Sequence, residues 1–136
     1  MARRICPLIN LIIDELEILR LTMVDLQRYA RHISLPSVGP EGQEKISQSK
    51  VLIIGAGGLG SPVILYLAAA GVGKIGIIDD DEIELSNLQR QVIHAESNLG
   101  QSKAESAKNR ILELNPTIQV EYWNQRLTPD NADEIF

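Results

Sequence analysis

Aromatic side chains are scarce in this chain: three Tyr, one Trp and one Phe among 136 residues, or 4%. A core built from it has to be mostly aliphatic. Cysteine is nearly absent. Cys6 stands alone, so the chain can form no internal disulfide and no cysteine-rich zinc site of its own. That count fits a reducing compartment. Positive charge is in deficit: 13 Lys and Arg against 18 Asp and Glu give a net charge of −5 and a pI near 5.0. Such a chain has no general attraction for nucleic acid, although single Arg and Lys residues can still be placed on a phosphate. Long apolar runs are missing as well, which argues against a membrane helix. Arg3-Arg4 ahead of Ile5 to Ile13 loosely resembles a signal peptide. Pro7 and Asn10 interrupt that run, Asp14, Glu15 and Glu17 follow it, and no small-residue cleavage site appears.

What is present is enough for one domain: 44% apolar and 23% charged residues. Leu26, Tyr29, Ala30 and Ile33 recur at helical spacing, predicting an amphipathic helix over 24–33. Pro36, Gly39 and Pro40 break it. Glu41 to Ser47 reads as a short second helix, with Pro40 tolerated in its first turn. Residues 50–54 form a strand without polar alternation, the pattern of a parallel strand buried on both faces.

Directly behind it stands Gly55-Ala56-Gly57-Gly58-Leu59-Gly60. Glycines in that place make a tight turn, and their missing Cβ atoms let backbone N–H groups reach a phosphate at a helix start. The helix from Ser61 or Pro62 to Ala70 is nearly all apolar and reads as deeply packed, capped by Ser61 and ended by Gly71. A second strand, 74–79, closes on Asp79, placed to take ribose hydroxyls. Together these make a nucleotide-binding β-α-β unit. The default ligand of that unit is a dinucleotide such as NAD.

The following segment points elsewhere. A helix over 87–94, with Ser86 and Gln89 at capping-box spacing, puts Asn87, Arg90, Gln91 and His94 on one face. That stripe suits a polar ligand, and equally a solvated surface. A longer helix, 101–114, buries Ala104, Ala107, Ile111 and Leu114 and stops at Asn115-Pro116. Lys103 in its first turn opposes the helix dipole, which a bound phosphate would relieve; an ordinary surface lysine is the plainer reading. Residues 117–123 alternate as a half-exposed strand near a sheet edge, and Thr128-Pro129-Asp130 opens a last helix. His32 and His94 are lone histidines with surface or hydrogen-bonding roles, Cys6 is inert, and Trp123 serves packing or edge cover. The order β-α-β-α-α-β-α is the N-terminal half of a Rossmann-like, doubly wound α/β sheet, preceded by a helical segment. Its first strand keeps an open edge, the physical reason to expect a fragment of a larger domain.

Arg28-Tyr29-Ala30-Arg31-His32-Ile33, the loop 55–60, Ala69-Ala70-Gly71-Val72-Gly73, Asp79, Ser86-Asn87-Leu88-Gln89-Arg90-Gln91 and Gly100-Gln101-Ser102-Lys103 resemble the molybdopterin-synthase and thiamine-biosynthesis adenylyltransferases (MoeB/ThiF). These are bacterial relatives of the ubiquitin-activating enzymes. The resemblance covers 23–136 and leaves 1–22 as an unmatched extension. It implies a cytoplasmic homodimer that binds ATP and Mg²⁺, adenylylates the C-terminal glycine of a ubiquitin-like sulfur-carrier protein and releases pyrophosphate. Gly55, Gly57, Gly58 and Gly60 would form the nucleotide loop, and Asp79 would take the ribose. Asn87, Arg90 and Lys103 would contact the triphosphate, and Arg31 would reach the phosphates of the neighbouring subunit. Arg31, Arg90 and Lys103 are thus the catalytic candidates. The family's Mg²⁺ carboxylate and its zinc-binding cysteine pairs have no counterpart in this chain, so a truncated, inactive form is expected and no metal ligand is assigned. Two other readings stand beside it: a non-catalytic nucleotide-binding remnant, and an NAD-dependent oxidoreductase domain, which leaves the cationic residues without a purpose.

Overall fold

The computed structural model describes residues 26–135; Cys6 and the extension 1–22 lie outside them. The chain divides into two compact units, Met1–Gln43 and Glu44–Phe136.

In the first unit residues 26–28 are helical, the helix breaks at Tyr29, and α1 follows as Ala30–Ile33. The continuous amphipathic helix expected over 24–33 is therefore interrupted. Of its proposed apolar stripe only Tyr29 is buried, and Leu26 is half exposed. Tyr29 stacks on His32, whose Nδ1 hydrogen-bonds Gln43 Oε1 at 2.8 Å. That gives His32 a hydrogen-bonding role, as expected. Helix α2, Gly39–Gln48, carries Pro40 in its first turn, where a missing N–H costs nothing.

The second unit is built on a three-stranded parallel sheet of order β1-β2-β3, with β1 Lys50–Ile54, β2 Lys74–Ile78 and β3 Gln119–Trp123. The register aligns Val51, Ile75 and Val120 in one rank and Ile53, Ile77 and Tyr122 in the next. Side chains alternate along a strand, so both ranks share one face. Helices α3, Gly60–Ala70, and α4, Lys103–Leu114, cover that face. Ile64 and Ala68 from α3 and Ala104, Ala107 and Ile111 from α4 close the core over it. Burying an isoleucine contributes about 1.5–3 kcal/mol, so these aliphatic ranks replace the missing aromatics.

The helix ends match their residues. Gly71 ends α3 at φ 86°, a left-handed conformation cheap only for glycine. Asn115 ends α4 and sends its Nδ2 to Ala68 O at 3.1 Å, tying the two helices together. Ser102 caps α4 by accepting from Glu105 N, a cap absent from the expected start at 101. Helix α5 spans Ala132–Ile135.

Three expectations fail here. β1 is not buried on both faces: Ile53 is buried, but Ile54 is 63% exposed. Among the described residues only one sheet face carries a helical layer; on the other, Ile54 and Glu121 are exposed, whereas Ile78 is buried and the Trp123 ring lies over Gly76. Helix α3 is not deeply packed throughout. Ser61, Ile64 and Ala68 are buried, while Val63 and Tyr66 point outward, because a helix on one layer buries one stripe. Ser61 is no cap either: α3 starts one residue earlier, and the Ser61 hydroxyl is buried without a partner.

Candidate functional site: a nucleotide cradle at the strand ends

β1 and β2 both stop at one end of the sheet. In open α/β sheets ligands lie in the crevice beyond the carboxyl ends of the strands. A cavity of about 500 Å³ opens there, lined by Gly55, Gly57, Asp79, Asp81, Asn87, Arg90, Gln91 and Lys103 among others. Six residues singled out from the sequence, Gly55, Gly57, Asp79, Asn87, Arg90 and Lys103, thus share one wall system. Gly58, Gly60 and Arg31 are not among its lining residues. Arg31 is exposed on α1 in the first unit.

The glycines differ in what they need. Gly55 turns the chain at φ 92°. A Cβ at Gly60 would stand 1.9 Å from Gly55 O, so Gly60 closes the helix onto the loop rather than facing a ligand. At Gly58 a Cβ would meet the Arg90 side chain at 3.5 Å; the Arg90 stem packs across the loop there. The amides of Gly57 and Gly58 have no acceptor among the described residues. They stand one turn ahead of α3, where N–H groups and the helix dipole favour an anion.

Asp79 is held by two backbone N–H groups. Its Oδ2 accepts from Ala56 N at 2.7 Å and its Oδ1 from Asp81 N at 2.9 Å. A carboxylate offers about four lone-pair sites, so each oxygen keeps one for a ligand hydroxyl.

The helix expected over 87–94 does not form. A 3-10 turn, Leu85–Asn87, is followed by further turns. The Ser86–Gln89 capping box is replaced by Asn87, whose Oδ1 accepts from Glu84 N at 3.1 Å. Asn, placed to bond its own turn, competes with helix propagation. Arg90 N and Gln91 N both return to Asn87 O, so the turns still bring Asn87, Arg90 and Gln91 to one wall. Arg90 is exposed and donates through Nη1 to Ser86 O at 3.1 Å, leaving most of its fork free. The Gln91 amide is 3% exposed, and its Oε1 has no partner; that orphaned acceptor fits a cavity meant for a ligand with hydroxyls.

Lys103 is no surface lysine. It is buried at the first position of α4 and pairs with Asp81 Oδ2 at 2.6 Å. The Asp81 carboxylate, not a phosphate, offsets the helix dipole here. The carboxylates of Asp79, Asp80 and Asp81 lie within 4.8 Å of one another, the arrangement of a possible cation site missed from sequence. They are already engaged: Asp79 by two N–H groups, Asp81 by Lys103, and Asp80 by Arg126 at 3.4 Å. These contacts occupy part of each carboxylate, and no magnesium ligand is assigned to them.

His94 was read from the sequence as a lone histidine. It is buried, with Nε2 3.0 Å from Ala56 O and Nδ1 3.0 Å from Ser106 Oγ. Burial pushes its pKa below the ordinary histidine value, helped by the Lys103 ammonium and opposed by the Ala56 carbonyl and the Asp79 carboxylate.

Comparison with known proteins matches this architecture to one family. Residues 29–136 match the ThiF family. A probable molybdopterin-synthase adenylyltransferase of Porphyra purpurea is 52% identical over 85% of this chain and 30% of its own length. A sulfur carrier protein adenylyltransferase of Thermus thermophilus is 49% identical over 87% and 44%. The crystal structure of the tRNA N6-threonylcarbamoyladenosine dehydratase of E. coli in complex with AMP superposes with a TM-score of 0.75, at 31% identity, over 80% of this chain and 44% of that one. The chain spans less than half the length of these relatives. No helix among the described residues is long and apolar enough to cross a membrane. With its glycine loop, its aspartate at the end of β2 and the SNLQRQ turn gathered at one crevice, the chain belongs to the ThiF family.

Proposed function

We propose that residues 23–136 are the ATP-binding part of a sulfur-carrier adenylyltransferase. The observation that carries this reading is the convergence of Gly57, Asp79, Asn87, Arg90 and Lys103 on one cavity. An adenine nucleotide lies with its ribose hydroxyls on Asp79 and its phosphates over the Gly57 and Gly58 amides. Arg90 swings from Ser86 O to the phosphates, and its planar fork suits their oxygens. Lys103 meets them from the other wall, and Asn87 supplies its Nδ2. A carboxylate oxygen of the carrier's C-terminal glycine attacks the α-phosphorus. The bond from that phosphorus to the bridging oxygen breaks, and pyrophosphate leaves with the electron pair. Negative charge grows on the non-bridging oxygens and on the leaving group, where fixed cations stabilise it. Arg31 adds a cation from a second copy in a homodimer, and the protein works in the cytoplasm. No step here runs through a metal ion.

Calorimetric titration of the chain with ATP and with NAD(H) tests the reading. Tighter binding of ATP supports it, because cations on both walls serve a triphosphate. Tighter binding of NAD would overturn it.

A further inference from the structure

Ala56 is the one non-glycine residue in the first half of the loop, and it is fully buried. Both polar atoms of its backbone are held by side chains from distant parts of the chain. Its N–H goes to Asp79 Oδ2 at 2.7 Å, and its carbonyl receives a bond from His94 Nε2 at 3.0 Å. A carbonyl can only accept, so His94 carries its proton on Nε2. Its Nδ1 is then free to accept from the Ser106 hydroxyl, 3.0 Å away on α4. Ser106 is buried as well. A chain of bonds therefore runs from α4 through Ser106 and His94 to Ala56, and on to the aspartate at the end of β2.

We propose that His94 is a positioning residue for the nucleotide: through the Ala56 carbonyl it fixes the orientation of the Gly57 and Gly58 amides, and Ser106 fixes His94. The proposal rests on the nucleotide-binding reading of the cavity. The geometry requires an anchor of this kind. Gly55 and Gly57 flank Ala56 with no Cβ of their own, so the loop has little intrinsic stiffness. Phosphate-binding amides act only when their direction is set before the ligand arrives. Asp79 sets one side of the Ala56 residue and His94 the other. The ribose-binding and phosphate-binding parts of the site are thereby joined through a single residue. The charged and titratable groups facing the imidazole are Lys103 on α4 and Asp79 at the end of β2.

The test compares the whole chain with His94→Gln, His94→Leu and Ser106→Ala. Glutamine retains an N–H that reaches toward Ala56 O; leucine does not. ATP affinity is expected to fall about tenfold or more in His94→Leu, the cost of a lost bond to a buried carbonyl, and to recover largely in His94→Gln. Ser106→Ala is expected to lie between them. Adenosine affinity should fall less than ATP affinity in each. Nitrogen-15 NMR on the nucleotide-free wild type reads the mechanism without ATP. It should show His94 as the Nε2–H tautomer, and the Gly57 and Gly58 amide signals should shift in Ser106→Ala. An Nδ1–H tautomer, or unmoved glycine signals, overturns the proposal even where His94→Leu fails to fold. So does a folded His94→Leu that binds ATP like wild type. Wild type that binds no ATP sinks the nucleotide reading alone, while the NMR result still decides whether His94 sets the loop.

Discussion

One wall of the nucleotide cavity, Gly55 to Gly57, is tied to the core through the backbone of Ala56, whereas the opposite wall, residues 84–91, is held chiefly by its own turns. On the first wall Asp79 and His94 grip Ala56 from both sides, and Gly60 packs directly on Gly55. On the second wall Asn87 closes a turn on Glu84, and Arg90 reaches only as far as Ser86. The difference teaches how the work is divided. A phosphate cradle needs fixed donors, because their value lies in being oriented before the ligand arrives. A cation that must follow the developing charge can be mobile. Substitutions in the first wall should therefore act through stability and binding together. Substitutions in the second should act on binding alone.

The largest effect is expected at Gly60. A Cβ there would overlap Gly55 O at 1.9 Å, and backbone cannot yield as a side chain can. Gly60→Ala should cost more than about 3 kcal/mol, beyond ordinary overpacking, read as a lower urea midpoint. Gly58→Ala is the control. Its new methyl meets only the flexible Arg90 stem at 3.5 Å, and stability should change by less than about 1 kcal/mol. Equal losses at the two positions would break the distinction between a glycine packed on backbone and one packed on a flexible side chain.

Next comes Asp79. Asp79→Ala leaves Ala56 N and Asp81 N without their acceptor, and an orphaned buried donor costs about 1–3 kcal/mol. Denaturation and ATP titration should both register it, and adenosine binding should weaken as well, since the ribose loses its partner. A variant as stable as wild type would show that the loop does not depend on Asp79.

These two residues also mark what could be read from the sequence. The grouping of Asn87, Arg90 and Lys103 was implied only by the family resemblance, whereas the β-α-β order, the parallel sheet and the Gly71 stop follow from local patterns. Apolar runs, glycines and spacings carry them. The clamp on Ala56 does not. It joins residues from three elements, and no spacing rule links Ala56 with Asp79 or His94. Position alone made Lys103 read as a surface lysine for the same reason: its partner, Asp81, stands in another loop. The missing helix at 87–94 is a different failure. The helical stripe was legible, but the asparagine that turns back on Glu84 makes a series of turns that serve the same side. β1 read as buried twice over because its sequence suits a sheet covered on both faces, while the described residues cover one.

On the second wall the effects should be smaller in stability and confined to phosphate. Arg90 is exposed, so Arg90→Ala should leave the urea midpoint nearly unchanged. It should weaken ATP by about ten- to a hundredfold, the worth of a charge-assisted hydrogen bond of roughly 1.5–3 kcal/mol, while adenosine binding holds. Lys103→Ala sharpens the comparison because Lys103 is buried and paired. It should lose ATP affinity and some stability together, as a first-wall residue would. Unchanged ATP affinity in Arg90→Ala would remove the assigned role of that arginine.

The smallest effect concerns pH, and its sign follows from His94. Burial holds the imidazole pKa below its ordinary value, so at a given pH near or below that value the unfolded chain binds more protons at this position than the folded one. Stability then rises with pH across the interval between the folded pKa and the unfolded one, about 6.5. Read downward, the contribution present at neutral pH is lost as pH falls through about 6.5 and continues to fall until the folded pKa is passed. Both bonds of the imidazole can survive protonation, since Nε2–H still donates to Ala56 O and the Ser106 hydroxyl can turn to accept from Nδ1–H. The loss therefore comes from burying a charge beside Lys103, not from breaking the clamp, which keeps it modest. The measurement is a difference against a variant that lacks this imidazole. Urea midpoints of wild type and His94→Gln, taken from pH 7.5 to 5, should converge as the pH falls, because only wild type pays for charging a buried imidazole. Parallel curves would mean that His94 titrates alike in the folded and unfolded chain, and that the second anchor of the nucleotide loop is not the dry, neutral imidazole described here.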